Sequence, residues 1–172
     1  MYEIYFNPNI GLVYIREEEG FLTEVKFISK EEKNQLENYN ANKGQISNKD
    51  TEVLKEAIKQ LDEYFNGTRK SFDLPLRPKG TLFMQSVYKA LLKIPYGRTA
   101  SYKDIAMAIG NEKACRAVGN ANNKNPIAII IPCHRVIGQN GKLVGYAGGL
   151  EIKQALLSLE NSNNNDRQDN NN

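Results

Sequence analysis

Apolar positions along the chain fall into two regimes. In the first thirty residues they alternate or gather in short β-branched and aromatic runs. Tyr2, Ile4 and Phe6 alternate with polar neighbours, the pattern of a half-buried strand, and Asn7-Pro8-Asn9 supplies a turn. Ile10 to Arg16 and Leu22 to Ile28 read as two further strands, with Glu17-Glu18-Glu19-Gly20 as a solvated hairpin tip. Residues 29–49 are polar and asparagine-rich and read as a connector. The spacing then changes to that of a helix. Leu54, Ala57, Ile58, Leu61 and Phe65 share one face, Asp50 or Thr51 can cap it, and Asn66-Gly67 ends it. Thr68 to Lys79, with Pro75 and Pro78, reads as a linker.

The second half reads as helices. Thr81 opens one whose Phe83, Val87, Ala90, Leu91 and Ile94 form a stripe, stopped by Pro95-Tyr96-Gly97. Ser101-Tyr102-Lys103-Asp104 resembles a capping box with the shorter acid, before a short helix carrying Ile105, Ala106 and Ile109. After Gly110-Asn111, a helix from about Glu112 to Asn122 buries Ala114, Val118 and Ala121, and Cys115 beside them reads as core. Two short helices joined by a glycine turn make a helix-turn-helix candidate. Arg116, Asn120 and Asn123 lie on the outer face of the second helix, where they suit phosphates and base edges. The run Ile127-Ala128-Ile129-Ile130-Ile131 reads as a buried strand ending at Pro132. A last helix runs from Leu150 to about Leu159, with Ile152, Ala155, Leu156 and Leu159 inward. Glu160 then stands at its C-terminal end, where the helix dipole disfavours an anion, so it is either frayed or held by a cationic partner. Residues 161–172, nearly all Asn, Ser and Asp, are expected to be a disordered tail.

Charge sharpens this division. Residues 1–78 hold 11 Lys and Arg against 14 Asp and Glu, whereas residues 79–160 hold 11 against 4. The expected organisation is therefore an N-terminal α/β domain over 1–78 and a basic domain over 79–160, whose partner is anionic, nucleic acid first. The chain of 172 residues is 40% hydrophobic, enough for a real core. No window approaches the roughly 18 apolar residues of a membrane span. Without a signal-peptide layout and with two cysteines, a reduced, cytoplasmic protein without disulfides is expected. One histidine and two cysteines leave a zinc site one nitrogen or sulfur ligand short, so no metal is expected.

Candidate chemistry centres on Pro132-Cys133-His134-Arg135, which places a thiol beside the only histidine. A free thiol has a pKa of about 8.5 and attacks only as the anion, so a nearby base is needed at neutral pH. The alternative is a buried structural cysteine next to a surface histidine. Gly145-Tyr146-Ala147-Gly148-Gly149 follows, dense enough in glycine for backbone N–H groups to approach a ligand, or simply a flexible loop.

Ile130-Ile131-Pro132-Cys133-His134-Arg135-Val136-Ile137 resembles the signature of the O6-alkylguanine-DNA alkyltransferases. Ile94 to Thr99, Ser101-Tyr102, Arg116 to Gly119, Asn125-Pro126 and Tyr146 to Leu150 resemble further blocks of that family in family order. The resemblance covers about Phe83 to Glu160 well. It implies an α+β protein, with an N-terminal RNase H-like domain and a C-terminal winged-helix-like, helix-turn-helix domain. It implies cofactor-free transfer of an alkyl group from guanine O6 in double-stranded DNA to Cys133, once per molecule, by a monomer. O4-methylthymine is left open as a second substrate. By the same resemblance His134 is the base acting through a water, and Glu160 the carboxylate that orients it. Arg116 fills the base stack, and Tyr102 lines the pocket and helps rotate the phosphate. Asn125 joins the recognition helix to the active site. Backbone groups at Cys133, Val136 and Ala147 would contact the flipped base, with Tyr146 and Gly148 on the same rim. Asn122 departs from the pattern, standing where some members have an apolar wall. Two rivals remain on the residues alone: a non-catalytic protein that flags alkylated DNA, and a cysteine hydrolase with no DNA.

Overall fold

The computed structural model describes residues 2–7, 10–42 and 51–165. The chain falls into two compact units that divide between Pro78 and Lys79. In the first, strands β1 (Tyr2–Asn7), β2 (Gly11–Glu18) and β3 (Phe21–Ile28) form an antiparallel meander in the order β1-β2-β3. The turn expected at Asn7-Pro8-Asn9 falls largely outside the described residues. Val13, Ile15, Leu22 and Val25 are wholly buried. Helix α2 (Glu52–Phe65) contributes Leu54, Ala57, Leu61 and Tyr64 to that unit's core. Of the two possible caps it uses Thr51, whose hydroxyl accepts from the Leu54 N–H at 3.1 Å.

Three expectations for this unit are corrected. The acid run is not merely a solvated tip. The strands continue to Glu18 and resume at Phe21, so the turn is Glu19-Gly20, both at positive φ as a two-residue turn of the right twist requires. Glu17 is buried and accepts the Gly20 N–H, Glu18 pairs with Arg16 at 2.7 Å, and Glu19 pairs with Arg77 at 3.0 Å. The supposed connector contains helix α1 (Lys30–Asn42). Ser29 and Glu32 exchange side-chain and backbone hydrogen bonds at 2.7 and 3.1 Å, a capping box. The supposed linker is pinned to β3. Leu22 donates to the Pro75 carbonyl at 2.8 Å and accepts from the Arg77 N–H at 2.9 Å, and the buried Gln60 carboxamide pairs with both backbone groups of Asp73.

The second unit is built on helices α3 (Leu82–Leu91), α4 (Tyr102–Ala108), α5 (Cys115–Asn123) and α6 (Leu150–Asn165). It also holds a short parallel pair that the helical reading missed, β4 (Ala100–Ser101) with β5 (Val136–Ile137). The capping box at Ser101 is present, with both hydrogen bonds to Asp104 made, at 2.7 and 3.1 Å. α4 and α5 are joined by a turn ending in a 3₁₀ segment, Glu112–Ala114, so α5 starts three residues later than the spacing suggests. Val118 and Ala121 are buried, but Cys115 is only half-buried and not core.

Two corrections bear on the site. The run from Ile127 to Ile131 is not a strand. It is a buried turn, closed by Ile131 N–H on the Ile127 carbonyl at 3.0 Å and Ile130 N–H on that of Ala128 at 2.8 Å. Ile129 sits there at φ +71°, a conformation that costs a β-branched residue about 1–3 kcal/mol and persists only when packing over-determines it. Helix α6 also continues past Leu159 to Asn165, so Glu160 lies inside it, and residues 161–165 of the expected tail are helical. Ser162 back-bonds to the Ser158 carbonyl at 2.8 Å and Asn163 donates to the Tyr96 hydroxyl at 3.2 Å.

Candidate active site

Cys133, His134 and Arg135 form a single 3₁₀ turn directly after Pro132, and all three are buried. Asn125 shapes the approach to it. Its side-chain N–H₂ donates to the carbonyls of Ile131 at 2.8 Å and Ile127 at 3.3 Å, and its oxygen accepts from the Ile127 N–H at 3.1 Å. One carboxamide thus satisfies the backbone of the strained turn. Asn122, on the buried face of α5, donates to the Cys133 carbonyl at 3.3 Å. The two asparagines tie the end of α5 to the residues that carry the thiol.

Glu160 reaches the turn from α6 and has no exposed surface. His134 Nε2 lies 2.8 Å from Glu160 Oε1, Arg135 Nε donates to Oε2 at 2.9 Å, and the Gly97 N–H donates to Oε2 at 2.9 Å. Burial alone would raise the Glu160 carboxyl, but His134 and Arg135 outweigh it and bring the pKa down to about 2. An ionised carboxylate only accepts, so His134 carries its proton on Nε2 and its lone pair on Nδ1. Burial pushes the imidazole below its ordinary pKa, Glu160 raises it, and Arg135 and Lys153 lower it further. The Cys133 thiol is pushed up, by burial first, with Asn125 and Lys153 working against that.

Lys153 is a residue that sequence reasoning missed. It is wholly buried on α6 and donates to the carbonyls of Val136 at 2.6 Å and Val144 at 2.9 Å. The signal was present: a lysine one residue from Ile152, three before Leu156 and seven before Glu160, on the inward face. The Tyr102 hydroxyl donates to the same Val144 carbonyl at 3.0 Å, and its ring lies along Gly119 of α5, where an added Cβ would come within 3.7 Å. Tyr146 has its hydroxyl buried, and burial followed by the Cys133 charge raises its pKa well above the ordinary value. Burial, then the Cys133 charge, likewise raises Tyr102, so Tyr102 and Tyr146 are both held as protonated phenols. Of the remaining expected residues, Arg116, Asn120 and Asn123 are exposed on α5, Ala147 is exposed and Gly148 half-buried on the glycine loop. Asn123 packs against Gly145, whose missing Cβ would lie 3.3 Å from its amide nitrogen. Among the described residues no three His, Cys, Asp or Glu side chains cluster so as to hold a metal ion.

A cysteine, a histidine and a carboxylate joined to a helix-turn-helix have counterparts in known proteins. The family model for the 6-O-methylguanine DNA methyltransferase DNA-binding domain matches residues 82–162, and that for the family's ribonuclease-like domain matches residues 1–78. The chain belongs to this family. A methylated-DNA–protein-cysteine methyltransferase of Methanosarcina acetivorans is 50% identical over 162 residues, covering 94% of this chain and 99% of that one. The constitutive enzyme of that name from Bacillus subtilis is 49% identical over 156 residues, covering 88% and 90%. Among solved structures, Mycobacterium tuberculosis OGT in complex with DNA superimposes with a TM-score of 0.79 at 43% identity, covering 94% of this chain and 93% of that chain. The α+β architecture is accordingly a ribonuclease-like domain followed by a DNA-binding domain.

Proposed function

We propose that Cys133 is the acceptor in a direct, single-use transfer of an alkyl group from O6-alkylguanine in duplex DNA, with His134 and Glu160 as its activating pair. Family membership carries the activity itself, methyl transfer from methylated DNA to a protein cysteine in DNA repair. The observation that supports the residue assignment is the buried turn in which a thiol adjoins an imidazole whose far nitrogen is held by an ionised carboxylate.

The lesion's alkyl carbon is out of reach within a stacked duplex, so the nucleotide is extruded, at a cost of a few kcal/mol that is smaller for a mispaired base. Arg116, exposed on α5, takes the vacated place in the stack, and Asn120 and Asn123 contact the strand around it. The pocket rim is Asn125, Val136, Tyr146, Ala147 and Gly148. His134 Nδ1 accepts the thiol proton through a water. The Cys133 sulfur then attacks the alkyl carbon in line, the S–C bond forms, and the C–O6 bond breaks with its electron pair left on guanine. Tyr102, on leaving the Val144 carbonyl, supplies a proton to the departing base. The product is a thioether, which offers water no carbonyl to attack, so the sulfur is not regenerated. The reading keeps a monomer in a reducing, cytoplasmic setting; both cysteines are free thiols.

Incubation with methylated duplex is expected to leave one methyl group, on Cys133, by peptide mass spectrometry. Cys133→Ala is expected to bind the duplex and transfer nothing. Repeated turnover, or an adduct elsewhere, overturns the assignment.

A further inference from the structure

The mechanism above leaves Arg135 without a part, yet Arg135 is only 6% exposed and its guanidinium makes four hydrogen bonds within the site. Its Nε lies 3.2 and 2.9 Å from the two Glu160 oxygens, its Nη2 donates to Oε1 at 3.0 Å, and its Nη1 donates to the Ile94 carbonyl at 2.7 Å. The guanidinium also rests 5.7 Å from the centre of the Tyr96 ring. A planar fork on a planar carboxylate fixes the orientation of that carboxylate, which a single point contact does not. The Gly97 N–H completes the clamp on Oε2, leaving Oε1 aimed at His134.

Charge matters as much as angle. A carboxylate alone beside a buried imidazole stabilises the imidazolium, and an imidazolium is no base. A carboxylate already matched by a guanidinium orients the ring without forcing a proton onto it. The charged and titratable groups facing His134 are Glu160 and Lys153 from α6, and Cys133 and Arg135 on its own turn. Glu160 favours the protonated ring, as would Cys133 once it is a thiolate, and Arg135 and Lys153 oppose it.

We propose that Arg135 is a positioning residue of the transfer site, its guanidinium fixing the Glu160 carboxylate against His134 and offsetting its charge, so that the imidazole is oriented while it stays neutral. This rests on the Cys133, His134 and Glu160 reading above.

His134 is the only histidine in the chain, so the ¹⁵N imidazole signals of the labelled protein report it alone. The test is to titrate these signals, and to measure single-turnover transfer against pH, in the wild type, Arg135→Gln and Arg135→Lys. In Arg135→Gln the imidazole midpoint is expected to move to higher pH. Transfer at pH 7 is expected to fall roughly tenfold and to recover at alkaline pH, as loss of a general base requires. Arg135→Lys keeps the charge but not the fork, so its midpoint should match the wild type while its rate is lowered at every pH. A folded Arg135→Gln protein that titrates like the wild type, with a loss uniform across pH, overturns the proposal. Should Arg135→Gln not fold, Arg135→Lys decides: a wild-type plateau rate overturns the proposal, and a lowered plateau with an unmoved midpoint supports it. Wild-type protein that takes no alkyl group on Cys133 overturns the underlying reading instead.

Discussion

A carboxylate with no exposed surface stays ionised only where donors surround it, and Glu160 has His134, Arg135 and the Gly97 N–H. Its folded pKa of about 2 lies below the ordinary 4.5, so the unfolded chain binds the proton more readily. The stabilisation is therefore fully present above about pH 4.5 and lost as the pH falls toward 2. Glu160→Gln removes that titration and leaves the Arg135 guanidinium buried without its counter-charge. We expect the variant to be about 3–5 kcal/mol less stable than wild type at pH 7, with the gap narrowing below pH 4. Denaturant unfolding at the two pH values measures both. The residue scale was partly legible. Cys133 and His134 adjoin in sequence, so their partnership could be read directly. Arg135 adjoins them too, but its contacts with Glu160 and Ile94 span 25 and 41 residues, and nothing local announces them.

Elements with a clear period were legible, and those without one were not. α2, α3 and α4 carry apolar residues at helical spacing and a Thr or Ser cap, and each starts at the residue after that cap. α1 is mostly polar, so spacing gave no sign of it, although Ser29 and Glu32 stand three apart as a capping box requires. The Ile127–Ile131 run is apolar throughout, and periodicity cannot separate a buried strand from a buried turn in such a run. The spacing ends α6 at Leu159 because asparagine and serine read as tail, whereas Ser162 and Asn163 bond back to the helix and to Tyr96. The short pair β4 and β5 joins residues 36 apart through two positions on each strand, too few for any pattern. In the proposed function α5 is the element that meets the duplex. Arg116→Ala is expected to weaken repair of duplex lesions by about 1–3 kcal/mol in apparent affinity, while transfer from the free alkylated nucleobase is unchanged. Paired single-turnover assays on the two substrates check it; equal losses on both would place Arg116 in the chemistry instead.

For the whole molecule, the charge division at Pro78 is also where the two compact units divide. The basic half carries both the exposed face of α5 and the buried thiol, linked by Asn122 and Asn125 over a few residues of chain. Long-range ties from α6, through Lys153 and Glu160, close the site from behind; the spacing marks both positions, but the local pattern does not name the backbone carbonyls that Lys153 meets.

The Cys133 side chain is only 4% exposed, next to a turn held tight enough to keep Ile129 in a left-handed conformation. On the proposed function, repair adds carbon to that sulfur permanently, and a close-packed interior has little room for it. Overfilling of this kind costs about 1–3 kcal/mol, a drop in melting temperature of about 4–8 °C per kcal/mol for a unit of this size. Calorimetry of methylated against unreacted protein is expected to show that loss, and a bulkier alkyl group should deepen it. The spent molecule is then physically marked by its own looseness: the lesion leaves the DNA as a defect in the packing of the protein.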